Sequence, residues 1–342
     1  MVNLNDLTLG ELQREIEGIG EPKFRAKQIF KWFSRGVTSL EEMTDISAKT
    51  KEKIRENFNI VSVKVWQRFD SKLDETKKYL MELDDGNIIE TVAMFYKHGI
   101  TVCISTQVGC NMGCKFCAST IGGKARNLTA GEILGQVATV QRDLGERISN
   151  IVLMGIGEPF DNFDHVLNFL RNVNDENGMC IGYRHISIST CGLADKIRLL
   201  AEENIPITLS VSLHAPDNET RDKIMPVNRK FRVEELLDAC REYQGVTGRR
   251  ISFEYILINQ LNDTRAHAET LMKITKGILS HINLIPANFV KESGFVKSSP
   301  ERVKAFKQYL ENHGITVTVR RELGSDISAS CGQLRRKHNT ER

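Results

Sequence analysis

From residue 101 onward the chain alternates short β-rich apolar runs with amphipathic helical stretches, and this alternation restricts the fold more than any other feature of the sequence. The strand-like runs are TVCISTQ (101–107), NIVLMGI (150–156), RHISIST (184–190), ITLSVSLH (207–214), RISFEYIL (250–257) and HINLIP (281–286). The stretches between them repeat their apolar residues at helical spacing, and Thr129 with Glu132 three residues on marks a capped helix start. Strands separated by helices imply parallel pairing through right-handed crossovers. The predicted fold is therefore α/β, a partial (β/α)6 TIM-like barrel, closed off by a helix over 300–313 and a strand over 315–321.

The residues before this pattern read differently. ELQREIEGIG, FRAKQIFKWFSRG and AKTKEKIRENF are three helical runs, the last capped at Asp45 or Ser47, with Phe24, Phe30 and Trp32 expected in the core of a small helical unit. VSVKVWQRF, KKYLMEL and NIIETVAMFY alternate as strands, and the DDG at 84–86 is a hairpin turn. The expected organisation is a helical unit plus β-hairpin over 1–95, followed by a barrel core over 96–342 that carries the last strand and a cysteine-bearing loop.

Chemistry in such barrels sits on the loops leaving the C-terminal strand ends. Those loops here hold Cys110, Cys114 and Cys117, then Gly155-Ile156-Gly157-Glu158-Pro159, Ser189-Thr190, Ser212-Leu213-His214 and Pro286-Ala287-Asn288. Eight cysteines in 342 residues produce C-x3-C-x2-C by chance about 0.004 times per chain, so the spacing is an arrangement. Three thiolates in one loop suit an iron–sulfur cluster with one iron left open. Structural zinc wants four donors, and no histidine lies near this loop. Cys180, Cys191 and Cys240 have no motif spacing and read as packing residues.

The bulk properties exclude more than they assign. At 40% hydrophobic and 27% charged residues the composition is that of a soluble globular protein, and no run approaches the ~18 apolar residues of a membrane span. The N-terminus lacks a basic segment followed by an apolar one, so a cytoplasmic protein with reduced cysteines is expected. A net charge of +3 neither demands nor excludes a nucleic-acid partner. Arg249-Arg250, Arg320-Arg321 and Arg335-Arg336-Lys337 read as solvated surface charge; Lys23, Arg25, Lys27 and Lys31, with the basic tail, are candidates for phosphate contacts.

The cysteine triad with Phe116 inside it resembles the signature of the radical S-adenosylmethionine (SAM) superfamily. GCNMGCKFCAST, LMGIGEP, RHISIST-CG, SLHAP, INLIPAN and DISASCGQL are more specifically similar to the RlmN/Cfr family of RNA adenine methyltransferases, over essentially the whole chain. DISASCGQL and GIGEP each depart slightly from the usual family pattern without losing the cysteine or the glutamate. The resemblance implies a radical-SAM barrel, a 4Fe–4S cluster on Cys110, Cys114 and Cys117, and SAM contacts from Gly157, Glu158, Ser189, Ser212, Leu213, His214 and Asn288. It further implies methylation of adenine carbon 2 in 23S rRNA and tRNA, with a flavodoxin or ferredoxin as reductant and the enzyme a monomer; a Cfr-like carbon-8 activity is the alternative. It matches Cys331 to a methyl-carrying cysteine, Cys103 to a thiol that releases product as a disulfide, and Glu90 to a proton acceptor. On residues alone these last three stay open. Cys103 within a strand reads more readily as a buried structural thiol, Cys331 reads equally as mobile or structural, and Glu90 reads as the polar side of a strand.

Overall fold

The computed structural model describes residues 1–288, 290, 292–334 and 337–338. Helices α1 (Leu9–Gly18), α2 (Phe24–Phe33) and α3 (Ala48–Asn57) form the N-terminal unit. They enclose their own core of Leu4, Leu12, Ile16, Ile29, Phe30, Met43 and Ile54. Thr8 and Glu11 form a capping box on α1, and the Ser47 side chain accepts from the Thr50 amide to start α3. Phe24 departs from the expected core position: it opens α2 facing outward, 55% exposed, with the Arg25 guanidinium over its ring.

One large sheet organises the rest, beside a short antiparallel pair of Gln107–Val108 with Arg126–Asn127. Strands β1 (Val63–Asp70), β2 (Lys77–Leu83), β3 (Asn87–Tyr96) and β4 (Gly99–Cys103) pair antiparallel in sequence order. From β4 the pairing turns parallel through β5 (Ile148–Leu153), β6 (Ile186–Thr190), β7 (Thr208–Ser212), β8 (Ile251–Leu257), β9 (Ser280–Pro286) and β10 (Val317–Val319). All six expected strand–helix units are present, and β10 adds a further parallel strand beyond them. The sheet ends at β1 and β10 without pairing to each other among the described residues, so the arc is not closed. The hairpin is continuous with it: Val92 pairs with Cys103 on one side of β4 while Cys103 pairs with Val152 on the other.

Helices α4 (Ala130–Leu144), α5 (Phe163–Asn174), α6 (Ala194–Glu203), α7 (Asn218–Ile224), α8 (Val233–Thr247), α9 (Arg265–Thr275) and α10 (Pro300–Asn312) connect the parallel strands. The Thr129–Glu132 capping box opens α4, and Gly145 ends it at φ 66°. Ile151, Ile188, Leu209, Phe253 and Leu284 from the strands meet Val137, Leu170, Ile197, Leu236 and Leu271 from the helices in one core. The helical unit docks on α4 and α5. The Gly131 amide donates to Asp6 (2.8 Å), Asn172 Nδ2 donates to the Leu7 carbonyl (3.1 Å), and Gly36 lies so close to Ala138 that an added Cβ would sit 2.9 Å from its carbonyl. No helix among the described residues is long and apolar enough to cross a membrane.

Candidate active site

The loop after β4 is shaped by glycine. Gly109 has φ 80°, and a Cβ there would stand 1.9 Å from the Gly123 carbonyl oxygen, so no other residue fits the turn into Cys110. The loop then packs on the end of α7: the Lys115 amide donates to the Ile224 carbonyl (2.9 Å) and the Cys117 amide to the Cys114 carbonyl (3.1 Å). Cys110 and Cys114 are buried and Cys117 half-buried, all three as free thiols. Burial pushes the Cys110 thiol up to about 12 and raises those of Cys114 and Cys117.

The strand exits surround this loop. Gly157 (φ 109°) presses its Cα against Gln107, where a Cβ would meet the Gln107 Cβ at 2.6 Å, and the Glu158 amide donates to Gln107 Oε1 (2.9 Å). The Glu158 carboxylate is 3% exposed and accepts from the Phe160 amide (3.1 Å) and the Cys191 amide (2.7 Å). Burial raises its pKa despite those bonds. Ser189 and Ser212, at the ends of neighbouring strands, hold their hydroxyls 3.5 Å apart. His214 sits in the left-handed region at φ 59°, with its ring edge-on to Phe116 of the cysteine loop at 4.9 Å. Its Nδ1 accepts from the Ile256 amide (3.0 Å), and burial, helped by the charge of Arg221, lowers its pKa to about 3.

Cys331 arrives from the C-terminal side. Asn288 Nδ2 donates to the Cys331 carbonyl (2.9 Å), the Ala118 amide donates to the Gly332 carbonyl (2.7 Å), and the Ser119 hydroxyl donates to the Leu334 carbonyl (2.9 Å). These bonds hang the Cys331 loop beside the cysteine loop. The same loop covers β3 and β4, where Cys103, Val92 and Ile156 pack against Leu334 and Ala329. Burial foremost, then the nearby Cys331 thiol, pushes Cys103 up to about 12. Glu90, 2% exposed on β3, faces Lys78 with Oε1 to Nζ at 3.8 Å, and Lys78 Nζ also donates to the Ser328 carbonyl (3.4 Å).

One cavity, enclosing about 940 Å³ and open to solvent, collects Cys110, Cys114, Cys117, Gly157, Glu158, Ser189, Ser212, His214, Asn288 and Cys331 on its walls. Leu213 is not among the lining residues; its side chain is fully buried in the main core and its carbonyl accepts from Arg221 Nε (3.0 Å). Cys103 and Glu90 lie beneath the Cys331 loop and do not line the cavity either.

Sequence reading missed several contributors. Glu254, the one acid in RISFEYIL, lines the cavity at 4% exposure and accepts from Asn283 Nδ2 (2.8 Å); its place in an apolar strand was the available signal. Arg320, read as surface charge, is turned into the cavity wall with Nη1 3.6 Å from Glu254. Cys191 does more than pack, because both its amide and its carbonyl are bonded within the site. Cys180 corrects the packing reading in the other direction: it is exposed, in a left-handed turn at φ 53°. Arg335 and Arg336 of the basic tail lie outside the described residues.

Residues 104–271 match the model of the radical SAM superfamily, and residues 2–60 match that of the ribosomal RNA large subunit methyltransferase N-terminal domain. The chain is 52% identical over 339 residues to the probable dual-specificity RNA methyltransferase RlmN of Clostridium novyi, covering 99% of each protein. It is 54% identical over 342 residues to its namesake in Caldanaerobacter subterraneus, covering all of both. The chain belongs to the RlmN family. A radical SAM methyltransferase from Sphaerobacter thermophilus has a solved structure that superposes with a TM-score of 0.93 at 42% identity, covering 98% of this chain and 99% of that one. RlmN proteins are radical SAM enzymes that methylate RNA, and their cofactors are a 4Fe–4S cluster and SAM.

The cavity fits those groups. Its cysteines share one wall, yet no three His, Cys, Asp or Glu side chains among the described residues converge on one ion. Thiols set side by side suit irons that each take one sulfur ligand. Beside them, Gly157 lets the exit of β5 pack directly against Gln107, and Glu158 sets a buried carboxylate in the cavity wall.

Proposed function

We propose that this RlmN-family enzyme methylates carbon 2 of adenine in 23S rRNA and in tRNA, with Cys331 as the methyl carrier. The observation that carries the reading is the suspension of the Cys331 loop. It hangs from Asn288 and Ala118, one residue past Cys117, so the three loop cysteines and Cys331 share one cavity. Adenine carbon 2 is electron-poor, so direct transfer of a methyl cation to it is unfavourable, and a protein thiol that accepts the methyl first removes the difficulty.

Cys110, Cys114 and Cys117 hold the cluster in this reading, and Gly157, Glu158, Ser189, Ser212, His214 and Asn288, with the backbone of Leu213, hold SAM. Bound together, the two cofactors supply a methyl group in one half of the cycle and a carbon radical in the other. The remaining work belongs to the chain. The Cys331 sulfur takes the methyl group, loses one hydrogen atom from it, and joins the base through that carbon. Glu90 accepts the proton released from carbon 2, and the one electron that the adduct radical must shed would return to the bound cluster. The Cys103 thiolate then attacks the Cys331 sulfur and breaks its bond to the methylene carbon, which keeps the electron pair and takes up a proton to become the methyl group, leaving a Cys103–Cys331 disulfide that an external thiol reduces. Packing of Cys103 against Ala329 and Leu334 of the Cys331 loop supports this pairing, and so does the electrostatic coupling of the two thiols.

The dual-specificity RNA methyltransferase names of the relatives support two kinds of RNA substrate, and the match of residues 2–60 to a ribosomal RNA large subunit methyltransferase N-terminal domain supports rRNA as one of them. A flavodoxin- or ferredoxin-like one-electron donor, a monomeric state and a cytoplasmic location complete the proposal, as does division into a helical unit with hairpin over 1–95 and a catalytic core over 96–342. The deciding experiment is mass spectrometry of Cys331 and of RNA after turnover. S-methylation of Cys331, 2-methyladenosine in RNA, and a trapped protein–RNA adduct in Cys103→Ala are expected. Methyl transfer at the wild-type rate by Cys331→Ala sinks the carrier role, and 8-methyladenosine sinks the carbon-2 assignment.

A further inference from the structure

Arg221, on α7, is fully buried. Its hydrogens are satisfied by neutral oxygens: Nε donates to the Leu213 carbonyl (3.0 Å), Nη1 to Asn228 Oδ1 (3.1 Å) and the Phe231 carbonyl (3.5 Å), and Nη2 to the carbonyls of Cys191 (2.7 Å) and Ser212 (3.2 Å). Hydrogen bonds meet the directional needs of the group and leave its charge in place. A guanidinium stays protonated in a protein interior.

No carboxylate forms an ion pair with Arg221 among the described residues. Asp222, its sequence neighbour, turns away: it accepts from Asn228 Nδ2 (2.8 Å) and pairs with Arg232 at 2.7 Å. Glu158 lies across the Cys191 residue, accepting from the Cys191 amide while Arg221 binds the Cys191 carbonyl. In the proposed function that carboxylate serves an ammonium group of SAM. A buried, unpaired cation is costly, and proteins keep one where an anion arrives to meet it.

The geometry identifies the anion. Cys114 shares one buried cluster with Cys191, Ala215, Ile224 and Met225, and so lies against the helix that carries Arg221. The Lys115 amide, next to Cys114, donates to the Ile224 carbonyl of that helix (2.9 Å), and Gly113 approaches Pro226. Around the guanidinium the packing is tight, since a Cβ on Gly192 would stand 3.1 Å from Nη2. The charge is therefore fixed in position beside the cysteine loop.

We propose that Arg221 is the built-in counter-charge of the iron–sulfur cluster and holds its reduction potential up. A cluster on three thiolates carries net negative charge, and one-electron reduction by an external donor increases that charge by one. A fixed cation in a low-dielectric interior stabilises the reduced form more than the oxidised form. This role rests on the assignment of Cys110, Cys114 and Cys117 as cluster ligands. Arg221 touches neither SAM nor RNA in this scheme, so it is a tuning residue that acts through the cluster.

The test is an EPR-monitored redox titration of the anaerobically loaded full-length enzyme without SAM. Three variants separate charge from hydrogen bonding. Arg221→Gln removes the charge. Arg221→Lys keeps the charge and loses the planar fork. Asn228→Asp keeps the guanidinium and places a carboxylate against it, at the atom that already accepts from Nη1. Arg221→Gln and Asn228→Asp are expected to lower the reduced-to-oxidised ratio at a fixed solution potential about tenfold, which is about 59 mV for one electron. Arg221→Lys should stay within about threefold of wild type, from the unchanged charge. A fully loaded Gln or Asp variant with the wild-type ratio overturns the proposal. Loss of cluster loading in Gln and Asp, with normal loading in Lys, supports it equally, and loss of loading in all three marks Arg221 as a structural staple and overturns it. Failure of the wild-type protein to load any cluster instead refutes the ligand assignment.

Discussion

The Asn288 side-chain amide donates to the Cys331 carbonyl at 2.9 Å, linking the end of β9 to the loop that carries the proposed methyl-bearing cysteine. This bond fixes backbone, not sulfur, so it positions the thiol without engaging it. Asn288→Ala should keep the cluster and lose about 1 kcal/mol of loop positioning. That predicts about fivefold slower methylation of Cys331, followed by intact-protein mass spectrometry. Unchanged methylation would show that the loop finds its place from Ala118 and Ser119 alone.

Gly157 carries a different constraint, a positive φ together with a 2.6 Å clash awaiting any Cβ. Gly157→Ala should destabilise the protein by at least about 1 kcal/mol and displace the Glu158 carboxylate. Thermal melting should fall, and SAM affinity by calorimetry should fall further than iron content. Equal melting temperatures for the two proteins would refute the close approach described for this turn.

His214 gives a pH signature. Its folded pKa of about 3 lies below the ordinary imidazole value, so between the two the unfolded chain binds a proton that the folded one refuses. Its contribution to stability is complete above about pH 6.5 and is lost as pH falls toward 3, at about 1.4 kcal/mol per pH unit. In urea titrations at pH 7 and pH 4.5, the stability difference between the two pH values should shrink by about 2–3 kcal/mol in His214→Gln. An identical difference in variant and wild type would mean the imidazole is not buried neutral.

A second cavity, adjoining the first at Cys331, Asn288 and Arg320, is lined by Lys297 and Arg321. Lys297 is paired with Glu322 at 2.9 Å, whereas Arg321 has no ion pair among the described residues. If RNA enters by this opening, Arg321→Gln should weaken binding uniformly across sequences and reduce the slope of log K against log salt by about one. A slope equal to that of the wild type places the phosphates elsewhere.

Much of this was legible in the chain, and the reasons differ by feature. The parallel strands announced themselves because short β-rich runs such as HINLIP recur between amphipathic helical stretches. Thr129 and Glu132 were readable because a capping box is local, and the cysteine triad because one loop holds it. Long-range pairing carries no such mark. Nothing in NIIETVAMFY says that Val92 will face Cys103, so the hairpin was grouped with the helical unit over 1–95. Charge signs mislead for the same reason: Arg221 and Arg320 resemble their exposed neighbours until the fold turns them inward. Leu213 and His214 adjoin in sequence but diverge in space, because the left-handed turn at His214 brings its ring to the cavity and leaves Leu213 in the core.

The doubly paired strand β4 has a practical consequence for anyone dissecting this enzyme. Cutting away everything before Gly99 would strip β4 of its antiparallel neighbour and bare a rim of unmatched amides and carbonyls beside apolar side chains. Such a fragment would tend to stick to itself rather than fold. The catalytic half therefore cannot be rebuilt as a minimal enzyme by deletion from the front, and any engineered miniature must keep the hairpin as the sheet's own selvedge.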